Sequence, residues 1–210
     1  MPAWEWMQQN TSMVSAIANL AMVLIWVFYF QVFLVSYLRQ RRASIHIDRG
    51  AATDETARCI VTNMGEETVY LAAVVADLIF EGSRERALVT DKDELPTEQV
   101  HKPLEKTNKG PLKNGEARDI GSFWDLAQRA NVRLGVEIPL SDLIAMEVTV
   151  VAASNQAQSL VGGCKRFSVV DTDDRRAFAP DGVLTRQIRS PWSRRRLRAM
   201  VDERLPDRRA

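Results

Sequence analysis

The sequence predicts a single-pass α-helical membrane anchor followed by an all-β domain with a basic C-terminal tail. Three observations carry this reading. No residue from Trp6 to Leu38 is charged. After Ala43 the apolar residues fall into short alternating runs separated by turn signals, the period of strands rather than helices. Between Arg186 and Arg198 there are six arginines and no acid. Over all 210 residues, 28 Lys and Arg balance 27 Asp and Glu, which excludes a wholly basic nucleic-acid binder and an acidic disordered chain. Two cysteines exclude a disulfide-rich secreted scaffold, and two histidines leave little for a zinc site.

The anchor is read over 13–38, after a short extracytoplasmic N-terminal tail at 1–12. Its centre runs Leu20-Ala21-Met22-Val23-Leu24-Ile25-Trp26-Val27-Phe28-Tyr29-Phe30, and no Pro or Gly interrupts it. At about 1.5 Å per residue the run reaches roughly 39 Å, against a hydrocarbon core of roughly 30 Å. A helix satisfies its own backbone in lipid, so the run is expected to be helical. A cleaved signal peptide would start basic and have a shorter apolar core. Here the only charge before the span is Glu5, and Arg39, Arg41 and Arg42 follow it. The basic flank stays cytoplasmic under the positive-inside rule, which places the N-terminus outside and the C-terminal domain in the cytoplasm of a bacterial inner membrane. An excess of Arg over Lys, 22 to 6, is compatible with a GC-rich bacterial genome.

Ser12, Ser15, Asn19, Met22, Trp26, Tyr29, Phe33 and Ser36 repeat at 3–4 spacing and make one stripe along this helix. Ser15, Asn19, Trp26 and Tyr29 are the candidate helix–helix contacts. An amide in lipid seeks a partner, and such bonds contribute about 0.6 to 2 kcal/mol to helix pairing. The other reading of Asn19 keeps it wet near the outer surface. No side chain of the span titrates near pH 7, so a pump or transporter acting alone is not expected.

The β domain is read over 39–171. Ser44–Asp48 alternates, and Ala57–Asn63 makes a second strand leading to a turn at Asn63-Met64-Gly65-Glu66-Glu67, where Gly65 is able to take a positive φ. Thr68–Phe80 is a long β-branched run, read as a bent strand partly buried on both faces, and Glu85–Val89 pairs back on it. Residues 91–116 hold five of the six lysines and three prolines, and read as a solvated charged loop. Ala117–Phe123 reads as a strand. Ser122 with Asp125 three positions on caps a short helix over Ser122–Arg129. Val132–Ile138 reads as another strand. Ile144–Ala153 and Gly163–Val170 are the two strongest strands, the first alternating cleanly. About seven strands with at most one short helix give a β-sandwich. The strand–Asn-x-Gly–strand opening, the Leu-x-x-Gly-Glu turn and the closing hairpin resemble immunoglobulin-like sandwiches. That resemblance is one of architecture over roughly 43–171 and implies no activity.

Cys59 and Cys164 fall on separate strands. In a cytoplasmic domain they are expected reduced, buried and inert; a reversed orientation would favour a disulfide between sheets. The tail, 172–210, opens on an acidic cluster that lacks the Gly and distal Glu of a calcium loop. After Arg189-Ser190-Pro191-Trp192, Ser193 is expected to cap a short amphipathic helix over Arg194–Leu205, with Leu197, Val201 and Leu205 on one face. Trp192, Arg194, Arg195, Arg196 and Arg198, together with Arg39, Arg41 and Arg42, are the candidate contacts to anionic lipid or a protein partner. A solubilising tail is the alternative, and nucleic acid is the least favoured ligand.

No catalytic constellation is legible. Gly162-Gly163-Cys164-Lys165 lacks the residues of a phosphate loop, no Gly-x-Ser-x-Gly occurs, and His46 reads as a surface residue of a strand. The expectation is a non-enzyme with no cofactor and no metal: a membrane-anchored protein-interaction module. The alternative is a self-associating structural or accessory subunit of a membrane complex.

Overall fold

In a computed structural model of the chain, described at residues 10–40, 43–50, 52, 56–92, 106–135, 139–154, 159–172 and 175–202, the molecule divides into two units at Arg42. Within those spans only the backbone is described at 39, 40, 159, 172, 175, 191, 196 and 200–202.

The first unit is one helix, α1 (Thr11–Gln40), with no proline or glycine in it. Its span Thr11–Leu38 is 28 residues long, has a mean hydropathy of 2.1 and buries none of its side chains. It is apolar on every side, unlike the helix of a soluble protein, which keeps one polar face. Length and composition are those of a helix able to cross a membrane.

In the second unit, strands with alternating apolar residues build two antiparallel sheets. β1 (Ile45–Gly50), β2 (Arg58–Asn63) and β6 (Ala117–Ser122) form the smaller, in the order β1–β2–β6. Ile45, Ile47, Cys59, Val61 and Ile120 all point to its buried side. The larger sheet contains β3 (Val69–Phe80), β4 (Ser83–Leu88), β5 (Gly110–Leu112), β7 (Ala145–Ser154), β8 (Ser159–Thr172), β9 (Arg175–Pro180) and β10 (Arg186–Ile188). Its order is β10–β8–β7–β3–β4, with β5 also on β3 and β9 also on β8. β3 carries the expected irregularity, a register shift between Leu71 and Ala73 against β7.

Between the sheets lie Leu71, Val74, Leu78, Met146, Val148, Val150 and Phe167. Helix α2 (Phe123–Leu134) packs its apolar side into the same core. Ser122 and Asp125 form a reciprocal capping box at its start, as their spacing predicts. Phe123 stacks on Phe178 at 5.0 Å and meets Phe167 at 4.5 Å. α2 runs through Leu134 and ends on Gly135, whose φ of 64° is left-handed. The strand expected from Val132 therefore starts as helix: the capped register carries the chain three turns before a glycine stops it. Residues 136–138 lie outside the described residues.

Two further expectations change. The lysine-rich stretch is loop in its first half only by sequence, since 93–105 lie outside the described residues. Its second half is built into the domain. Asp91 bridges Thr107, Asn108 is buried and donates to the Ile120 carbonyl at 3.2 Å, and β5 pairs with β3. The strand pattern also continues past Asp171. Phe178 is the one large apolar residue of β9 and fills the core, while Arg176 beside it donates to the Leu140 carbonyl at 2.6 Å. The first turn forms at the expected place without using the freedom of its glycine. Gly65 has no positive φ. The buried Asn63 side chain accepts from the Gly65 N–H at 2.9 Å and donates to the carbonyls of Glu67 and Leu112.

The outer face of the larger sheet is covered as well. Ala73 and Val151 pack with Leu197 of helix α3 (Pro191–Asp202), joined by Leu88, Leu160 and Ile188. Ser190, not Ser193, caps α3: its hydroxyl accepts from the Ser193 N–H at 3.1 Å, and Pro191 takes the first helical position. The Val201 side chain and Leu205 lie outside the described residues.

β1 and β10 meet across the gap between the sheets through side chains. Gln187 accepts from the Ile45 N–H at 3.1 Å and donates to the Ile45 carbonyl at 2.6 Å. The Thr185 hydroxyl accepts from the Ile47 N–H at 2.8 Å and donates to the Ile47 carbonyl at 3.2 Å. Two polar side chains thus stand in for a neighbouring strand and satisfy the edge of β1. The approach is possible because β8 presents glycine there. A Cβ at Gly163 would lie 2.9 Å from Thr185 Cγ2 and 3.0 Å from the Ile45 carbonyl oxygen, and one at Gly162 would lie 3.0 Å from Leu197 Cδ1 and from the Val150 oxygen. Gly163→Ala is therefore expected to lower stability by about 1–3 kcal/mol, because backbone must move to admit the methyl. The shift of the guanidinium midpoint checks it, and an unchanged midpoint would remove the close-approach argument.

Candidate functional site

The helix candidates are placed plainly. Ser15, Asn19, Trp26 and Tyr29 are exposed on α1. Nearby rings pair within the helix itself, Phe28 with Tyr29 edge-on at 6.3 Å and Phe33 with Tyr37 stacked at 6.0 Å. Arg41 and Arg42 lie outside the described residues, and Arg39 is described by backbone alone.

The tail candidates divide. Trp192 is 79% exposed at the start of α3, and the Arg195 guanidinium sits 5.8 Å from its ring centre. Arg198 is exposed. Arg194 is half-buried, and its Nε is enclosed with no hydrogen-bond partner among the described residues. The Arg196 side chain is outside the described residues. Val183 and Leu184, at the turn before β10, are also highly exposed.

The two thiols are free and buried. They face opposite sides of the larger sheet. Cys59 lies in the core between the sheets. Cys164 sits opposite Thr149 of β7 on the outer face, within 3.6 Å of an Arg186 nitrogen. The sheet stands between them, so no disulfide forms in this fold whatever the redox surroundings. Burial pushes both thiols above their ordinary value, at Cys164 against the opposing hydrogen bonds from Thr149 and Arg186.

The constellation that sequence reading missed lies on that outer face. Asp77 stands mid-strand in β3 with a side chain only 1% exposed. A carboxylate so buried requires cations, and β4 supplies two. Arg86 binds it in a fork, Nε at 2.5 Å and a terminal nitrogen at 2.8 Å, and Arg84 closes on its other side. Arg84 also reaches Glu147 of β7 at 2.5 Å. These contacts follow from register: Asp77 lies opposite both Arg86 and Glu147. The hydrogen bonds to Asp77 hold the Arg84 and Arg86 guanidinium groups above their ordinary value, so both stay charged. Arg186 of β10 adds a third guanidinium 4.0 Å from Glu147, with its side chain 74% exposed. Beside these residues an open groove of about 640 Å³ runs to the start of α3, with Arg189, Ser190 and Ser193 in its lining.

His46, read as a surface side chain, is half-buried, with Nδ1 3.2 Å from the Thr185 hydroxyl and Nε2 3.7 Å from Asp48. Asp48 also accepts from the buried Lys165 at 2.9 Å. Among the described residues no group of three or more His, Cys, Asp or Glu side chains is placed to hold a metal ion. No family model matches the chain, and no curated protein and no solved structure matches it either.

Two pH responses follow. Burial acts to raise the Asp48 carboxyl, but the Lys165 hydrogen bond, the Arg49 backbone and the nearby charges prevail and hold it below its ordinary 3.8. Its contribution to stability is therefore present above that value and lost as pH falls through the depressed folded one. Asp48→Asn should flatten the acid limb of a stability–pH curve; an unaltered limb would show the pair contributes nothing. The thiols act at the other end. Their folded values are raised above 9.0, so stability is full below that value and declines above it, as the unfolded chain ionises first. Cys59→Ala with Cys164→Ala should reduce that alkaline decline.

Proposed function

We propose that the chain is a membrane-anchored binding module: α1 spans a bilayer once and holds the β domain against a protein partner on the cytoplasmic side. The observation that carries this reading is α1, 28 residues of apolar helix with no buried side chain. That much exposed apolar surface is stable only in lipid or against other helices. The basic residues after it, Arg39, Arg41 and Arg42, favour a cytoplasmic domain in a bacterial inner membrane. Tethering raises the local concentration of a binding domain without adding contacts.

The domain's finer architecture is, on this proposal, immunoglobulin-like. The order β1–β2–β6 over β4–β3–β7–β8 follows the A-B-E over C′-C-F-G arrangement of such sandwiches. β9, β10, α2 and α3 would be additions to it. Folds of this type serve recognition in many settings, which supports a binding role without naming the ligand. No catalytic activity is proposed.

A second reading, self-association through the Ser15–Asn19–Trp26–Tyr29 stripe, rests on Asn19, the amide that the stripe carries about two turns into the span. Native mass in mild detergent separates the two. Under the tether reading the complex contains other chains, and Asn19→Leu leaves its size unchanged. Under self-association the mass is a multiple of 23.7 kDa and falls in the variant. Orientation has its own check: Thr11→Cys should react with an impermeant maleimide on intact cells, and Ser83→Cys only after permeabilisation. The reverse pattern would overturn the cytoplasmic placement.

A further inference from the structure

The groove on the outer face of the larger sheet is built in part from positive charge that the fold leaves largely exposed. Asp77 and Glu147, the more buried partners, neutralise Arg84 and Arg86. Arg186 and Arg189 remain. Arg186 is mostly exposed and touches Glu147 only at 4.0 Å, and Arg189 is exposed with no ion pair among the described residues. The groove therefore keeps a surplus of two positive charges. Two hydroxyls stand beside them: Ser190 and Ser193, 2.6 Å apart, at the first turn of α3. The helix dipole adds positive potential at the same place. Ile188 and Leu197 also line the groove and give it an apolar part.

We propose that this groove binds a phosphoryl group. Guanidinium groups recognise phosphate oxygens in paired hydrogen bonds, and Arg186 and Arg189 line the groove together with the Ser190 and Ser193 hydroxyls. A tetrahedral group with three free oxygens can accept from both kinds of donor at once, where a planar carboxylate offers only two oxygens. About 640 Å³ is far more than a lone phosphate occupies, so the group is carried on a larger molecule whose remainder lies against Ile188 and Leu197. A phospholipid headgroup and a soluble phosphate ester share this chemistry. Every residue of the site belongs to the second unit, so the site does not depend on α1.

Hydrogen exchange by mass spectrometry on the full chain in maltoside micelles, which contain no phosphate, tests it. The readout is exchange over 186–195, with β3 and β7 as the internal standard, at about 0.15 M salt so that diffuse attraction is screened. Inorganic pyrophosphate is added in one arm, and phosphatidic acid is mixed into the micelles in the other. Protection by at least about tenfold is expected with at least one probe. Protection by the lipid alone assigns a headgroup, by pyrophosphate alone a soluble ester, and by both a site that accepts either. Arg186→Gln with Arg189→Gln should abolish it, and Arg166→Gln, which removes the same type of charge outside the groove, should not. If the double variant loosens β3 and β7, Arg189→Gln alone decides, and it should weaken protection by about tenfold. No protection by either probe, protection that survives removal of the groove arginines, or equal loss in Arg166→Gln would each overturn the proposal.

Discussion

A sheet buried on both faces must be covered twice, and most of the β domain follows from that requirement. β3 and β7 are apolar along nearly their whole length, so neither of their faces is stable in water. The inner face is covered by the three-stranded sheet and by α2. Among the described residues the outer face has no second sheet. It is covered in two patches, one apolar and one ionic. Where Ala73 and Val151 point outward, the tail returns and lays Leu197 on them. Where Asp77 and Glu147 point outward, the cover is a row of arginines from the neighbouring strands. The two solutions meet at Cys164 and Thr149, and the groove is the space between them.

The glycine pair in β8 serves the same constraint from both sides. At Gly162 the missing side chain leaves room for Leu197 on the outer face. At Gly163 it lets β1 and Thr185 close on the inner one. Consecutive residues of a strand point to opposite faces, so two adjacent glycines thin the sheet at one point. That thinning allows β10 to pair with β8 and still reach the edge of β1 through Thr185 and Gln187. Without it the tail would have to pass over the sheet at a distance, and neither patch would be sealed.

The parts of this structure legible in sequence are those coded locally. The apolar helix declares itself by an absence of charge over more than thirty residues. β3, β7 and β8 declare themselves by β-branched runs, and the start of α2 by Ser122 with Asp125. The illegible parts are those whose sequence is dominated by a second demand. β9 and β10 are short, and their arginines serve local needs: Arg176 bonds Asp171 and the carbonyls of Leu140 and Ser141, and Arg186 lines the groove. Composition therefore reads them as a solvated tail, and only Phe178 betrays a strand. β5 is hidden in a lysine-rich stretch for the same reason. The groove is illegible in principle, because strand register assembles it from residues between Arg84 and Leu197. One signal was available. A lone acid in the middle of an apolar strand, as at Asp77 and Glu147, demands a buried cation, and arginines at alternating positions in the next strand, Arg84 and Arg86, are where one would be sought.

The tail joins the apolar cover to the proposed ligand site. Leu197 holds α3 on the sheet, and the same helix brings Ser190 and Ser193 to the groove while β10 brings Arg186 and Gln187. The segment that completes the site is thus the one that seals the outer face, and its docking draws on a small apolar contact of six residues. A ligand that bridges Arg186, Arg189 and the first turn of α3 would bind the docked tail and not an undocked one. By linkage it would stabilise that docking in proportion to its affinity. On the proposed tether reading, such coupling would let occupancy of the groove determine whether the exposed Trp192 and the arginines following it are held in one place for a partner.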